Sequence, residues 1–92
     1  MESFLRELAR RYVWWQPPEQ AVADRTHLLC QLMQLGTWED VRAAKRVLGA
    51  DAFREALQAA PPGILDERSW TFWHHNLFGR PAPAPPTRPL PR

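Results

Sequence analysis

Two adjacent histidines, His74 and His75, end the run SWTFWHH at residues 69–75, and a third, His27, lies far upstream. Imidazoles bind metals and move protons, so these side chains are the first to test for chemistry. A metal site on a helix takes ligands at i and i+3 or i+4, whereas neighbours on a helix project about 100° apart. No metal is therefore expected. Cys30, the sole cysteine, cannot close an internal disulfide and belongs to no zinc-type spacing; it reads as a small buried hydrophobe in a protein of the reducing cytoplasm. Arg68 and His74 are separated by five residues. No Gly-rich phosphate loop accompanies them, and no serine, cysteine or carboxylate pair stands out from ordinary surface residues. The expectation is a protein that is not an enzyme and uses no cofactor.

The spacing of Arg68 and His74 resembles the Rx4-6H motif of the HEPN ribonucleases, helical dimers that cut RNA with such a pair. That resemblance implies a small ribonuclease as an alternative, with His74 as the acid or base at the ribose 2′-hydroxyl and Arg68 stabilising phosphate charge. Against it, the motif is very short, the chain is small for that fold, and Gly79 ends the helix soon after.

These residues need elements to position them. Ninety-two residues, 45% hydrophobic and 24% charged, make one soluble domain with enough apolar side chains for a single core. A net charge of +2 is too weak a bias to point to nucleic acid. The amino-terminal stretch is interrupted by Glu2, Arg6, Glu7, Arg10 and Arg11, so neither a signal peptide nor a membrane span is expected there.

Periodicity and punctuation predict an all-α fold, a small bundle of about five short helices over residues 1–79, followed by a proline-rich extended tail over 80–92. Residues 3–12 form an amphipathic helix behind Ser3, with Phe4, Leu5, Leu8 and Tyr12 on one side. Pro17 and Pro18 interrupt, and the next helix starts either at Pro18 or after Asp24, carrying Leu28, Leu29, Leu32, Met33 and Leu35 to a stop at Gly36. In GTWED, Thr37 caps a helix and Asp40 can complete a capping box, so a helix starts at Trp38 and ends at Gly49. Its stripe of Trp38, Val41, Ala44 and Leu48 is predicted to be buried, with Arg42, Lys45 and Arg46 on another face. A further helix from Ala50 buries Phe53, Ala56 and Leu57 before Pro61 and Pro62, and the last runs from behind Asp66 to Phe78. Six prolines among residues 80–92 exclude helix and favour polyproline II or disorder.

On this layout Trp70 and Trp73 belong to the core rather than to a base-stacking surface. Trp14 and Trp15 are consecutive ahead of two prolines and cannot easily face one core together, which leaves one of them for a partner. Residues 37–60 also have the outline of a helix-turn-helix, so a DNA-binding regulator is another alternative, with Arg42, Lys45, Arg46 and Arg54 on phosphates. The second helix, carrying Asp51 and Glu55, is a poor recognition helix. In the tail, Arg80, Arg88 and Arg92 between prolines would suit an acidic, aromatic-lined groove.

YVWW, LGTWEDV, LGADAFREAL, APPGILDERSWTFWHHNLFG and a proline-rich end follow one another in the chain. Over about residues 10–80 this order resembles a group of short bacterial proteins encoded beside AbiEii-type nucleotidyltransferase toxins and regarded as their antitoxins or antitoxin-like partners. GTWED and DERSWTFW are its most specific parts. The resemblance implies a non-enzymatic binder whose partner is a nucleotidyltransferase. It supplies no contacting residues; physical reasoning nominates Trp14, Trp15, Arg42, Lys45, Arg46 and the tail arginines Arg80, Arg88 and Arg92.

Overall fold

Six α-helices make up the fold in a computed structural model that describes residues 2–85. They are α1 (Glu2–Tyr12), α2 (Pro18–Ala23), α3 (Arg25–Leu35), α4 (Trp38–Leu48), α5 (Ala50–Gln58) and α6 (Glu67–Phe78). Both candidate starts for the second helix are used. Pro18 opens the short α2, where a missing N–H does no harm, and Asp24 ends it while its side chain accepts from the His27 N–H at 3.2 Å to start α3. Ser3 lies within α1 rather than capping it. Arg88 and Arg92 lie outside the described residues.

α3 is the centre, and it packs against every other helix. Its sequence explains this: Leu28, Leu29, Cys30, Leu32 and Met33 are all buried, a spread too wide for one face. Around them close Leu5, Leu8 and Val13 from the N-terminal part, Phe53 and Leu57 from α5, and Trp70, Trp73 and Leu77 from α6. Each fully buried side chain of this size contributes about 1.5–3 kcal/mol. Cys30 is sealed in this core with Sγ 3.5 Å from the Ala56 carbonyl, and burial pushes its thiol up to about 12, so it serves as packing rather than as a nucleophile.

Polar caps fix where the helices end. Thr37 accepts from the Asp40 N–H at 3.2 Å, as the sequence predicts, but the Asp40 carboxylate does not turn back to complete a box. It accepts instead from the Tyr12 hydroxyl at 2.5 Å and from Arg11 at 2.8 Å, and Tyr12 in turn accepts from the Thr37 N–H at 3.4 Å. A local cap has become a tie between α1 and α4. At the start of α6, Asp66 accepts from the Ser69 N–H at 2.7 Å, while its own N–H and carboxylate pair with the two ends of the Gln34 amide at 3.0 and 2.9 Å. The Ser69 N–H, then Gln34, hold the Asp66 carboxyl below its ordinary value.

α4 and α5 meet at one residue. Gly49 has φ 85° and ψ 156°, a conformation closed to side-chain-bearing residues, and so turns the corner alone. Gly36 is needed for a different reason: a Cβ there would lie 2.5 Å from both the Leu32 carbonyl oxygen and Leu32 Cδ1. Gly36→Ala is expected to destabilise the fold by about 1–3 kcal/mol, read as a lowered urea midpoint with an unchanged slope.

Candidate protein-interaction surface

The chain between α1 and α2 turns sharply. Val13 continues the helical ladder to the Ala9 carbonyl at 2.8 Å and is fully buried, and the Gln16 N–H closes a turn on the Val13 carbonyl at 3.2 Å. Anchoring Val13 inward leaves the two residues inside the turn pointing out. Trp14 is 74% exposed and Trp15 48%. Both rings of the predicted pair are therefore outside the core. They meet edge to face at 5.8 Å, and Trp15 rests edge-on against His27 at 6.1 Å.

Trp38 corrects the sequence reading. Placed on the buried stripe of α4, it is 56% exposed, whereas Val41 and Ala44 of the same stripe are buried and Leu48 is half-buried. It is the first residue of α4, and at that end its ring covers α6 from outside, 5.4 Å from Phe72 and 6.1 Å from Trp73. Trp38 and exposed Phe72 line a cleft of about 240 Å³ with Met33, Val41 and Arg68. Trp38 follows Thr37, whose N–H is bound by Tyr12, so this aromatic edge and the Trp14–Trp15 turn adjoin a single contact in the chain.

The basic side of α4 is where the sequence puts it. Arg42, Lys45 and Arg46 line one shallow depression with Glu39. They are not equivalent: Arg42 and Arg46 are exposed, while Lys45 reaches across to α6, donating to Asn76 at 3.0 Å and lying 5.6 Å above the Trp73 ring. Arg54 is committed elsewhere, donating to the Leu77 carbonyl at 2.8 Å and to Asp51 at 2.6 Å. The exposed side of α5 then presents Asp51, Glu55 and Gln58. With a single-glycine corner before it, α4–α5 is a tight structural hairpin whose second helix is acidic on its open face.

Arg68 and His74 are not brought together. Arg68 is exposed on the Trp38–Phe72 cleft, whereas His74 is buried and borders a different cleft, beside Gln58 and Phe78. A carbonyl only accepts, so His74 Nδ1 carries the hydrogen in its 2.8 Å bond to the Trp70 carbonyl, and the ring packs 4.2 Å from Trp70. His75 is exposed. No three His, Cys, Asp or Glu side chains come together among the described residues, and no helix there is long and apolar enough to cross a membrane.

A second stripe on α6 escaped the sequence reading, although its spacing of four was visible. Trp70, His74 and Phe78 stack along one side, and Gly79, left-handed at φ 64°, returns the chain over them. The first tail residues follow: Arg80 lies 5.0 Å above Phe78, and the Trp70 indole donates to the Pro83 carbonyl at 2.7 Å.

Compared with known proteins, the chain matches no family model, no curated protein and no solved structure. The likeness to antitoxin-like proteins rests on the sequence runs quoted above.

Proposed function

We propose that the chain is a non-enzymatic binding protein of the antitoxin kind, and that its partner is a nucleotidyltransferase toxin. The observation that supports it is the aromatic turn: a domain short of core material leaves Trp14 and Trp15 side by side in solvent. Tryptophan and arginine dominate the energetics of protein interfaces, and Arg42, Arg46, Trp38 and Phe72 extend the same chemistry onto the α4–α6 side. The identity of the partner comes from the resemblance alone. A toxin of that class must admit a nucleotide and an RNA to an electropositive cleft, so a helical body docked at its mouth blocks entry. The tail arginines would suit an acidic metal-binding rim.

Co-expression with an AbiEii-type nucleotidyltransferase tests this. The wild-type chain is expected to co-purify with the toxin and restore growth. Changing Trp14 and Trp15 together to serine is expected to weaken the complex at least about tenfold, with little change in melting temperature because neither ring is in the core. A wild-type chain that does not bind such a toxin sinks the reading. Full affinity in the folded double variant moves the interface away from the turn.

A further inference from the structure

The first tail residues close one side of the cleft along α6. Trp70, His74, Phe78 and Gln58 form one wall of a space of about 440 Å³, and Arg80, Pro81, Ala82 and Pro83 form the other. Three contacts seat the segment. The Trp70 indole donates to the Pro83 carbonyl at 2.7 Å, Ala82 packs half-buried against the core, and the Arg80 guanidinium lies over the Phe78 ring. The chemistry is matched on both sides. A proline-rich strand makes no internal hydrogen bonds and leaves its carbonyls open, and aromatic grooves that recognise such strands combine ring faces with a donor to those carbonyls. Trp70, 7% exposed, supplies ring and donor at once. The segment PAPAP offers the repeating small and proline residues that lie flat on such a surface.

From this we infer that the Trp70–His74–Phe78 groove is a recognition site for proline-rich segments, occupied here by the chain's own residues 80–83 and able to take a proline-rich segment of a partner protein in their place. The site is distinct from the Trp14–Trp15 turn and does not depend on the partner proposed above. The resident segment acts as a tethered competitor. A short tether keeps it at a local concentration of about millimolar, so an incoming segment must exceed that or wait for release. Its apparent affinity is reduced by the small fraction of time the groove is open.

The Trp70 indole N–H resonance in the full-length chain reads the site directly. In the wild type it is expected to exchange slowly with solvent, unlike that of Trp14. Ala82→Asp places a carboxylate at a half-buried contact and should release the segment without touching a helix, accelerating exchange of that proton. A synthetic peptide of residues 80–92 should then bind the Ala82→Asp chain at least about tenfold more tightly than it binds the wild type. It should also return the Trp70 resonance toward its wild-type position. The same peptide with serine at every proline should not bind. Trp70→Phe combined with Ala82→Asp keeps a ring and loses the donor, and should weaken peptide binding about fivefold. An unchanged Trp70 resonance in Ala82→Asp, or equal binding of the serine peptide, overturns the proposal. A mass that doubles with concentration in the wild type, abolished by Ala82→Asp, assigns the groove to the tail of a second copy and overturns the tethered arrangement.

Discussion

Replacing Trp73 with alanine is expected to remove about 3–5 kcal/mol of stability, from the void left by a large ring and the relaxation that only partly fills it. A domain of this size holds about 5–14 kcal/mol in total, so the variant sits near the edge of folding. Trp73 is 3% exposed and lies against Phe53 at 6.1 Å, with Phe72 edge-on and Trp38 tilted against it from outside. Its indole also performs a task no aliphatic residue can. It donates to the Met33 carbonyl at 3.0 Å, one of the last carbonyls of α3, which lacks the next-turn N–H because Thr37 has turned to Tyr12. Trp73→Phe fills most of the volume and leaves that acceptor alone, for which about 1–3 kcal/mol is expected. Urea unfolding of the two variants separates the packing contribution from the hydrogen bond; equal midpoints would show that the indole N–H contributes nothing.

The second large effect is at Asp40. Asp40→Asn is expected to destabilise the fold by about 1.5–3 kcal/mol at neutral pH, since it removes the charge to which Tyr12 and Arg11 donate. The effect depends on pH, with a definite sign. The Tyr12 hydroxyl holds the Asp40 carboxyl below its ordinary value; burial pushes second and the other way, and Arg11 and Thr37 add to the lowering. A lowered folded value gives stability that is complete above the unfolded value of about 3.9 and is lost as the pH falls through the folded one. Tyr12 is raised, by burial first and by Asp40 second, so its part is complete below about 10 and is lost as the pH rises through its folded value. The wild type and Asp40→Asn should therefore differ most between these limits and converge on acidification. A difference in urea midpoint that stays constant from pH 7 to pH 2 would rule out the charged form as the source. Asp66 is lowered as well, so the wild-type acid curve alone would not isolate Asp40.

Helix limits were the most legible feature of the sequence because they are set by neighbours in the chain. Thr37, Asp24 and Asp66 accept from N–H groups three residues on, and Gly49 and Gly79 break the helix at their own positions. The buried character of Trp70 and Trp73 followed from periodicity for the same reason. Trp38 shares that periodicity and is nevertheless exposed, because burial at the first residue of a helix depends on how far the neighbouring helix extends. Asp40 had the right spacing for a capping box and was drawn away by residues 28 and 29 positions earlier in the chain. The tail contact was hidden in another way: its donor is 13 residues from its acceptor, and only the left-handed turn at Gly79 decides that the chain doubles back. Of the nominated surface, Trp14, Trp15, Arg42 and Arg46 are exposed as expected, Lys45 is partly spent on Asn76 and Trp73, and Arg80 is seated on Phe78.

A central helix that touches all five others has a consequence for how this protein can be divided. The N-terminal pair and the C-terminal three each lean on α3, and neither group could shield its own apolar side chains without it. No cut between α1 and α6 leaves a self-sufficient piece, so a single cooperative unfolding transition is expected, the same by tryptophan fluorescence and by circular dichroism. A ligand that binds the Trp14 turn of the folded chain is then expected to stabilise the whole domain, α6 included, against global unfolding.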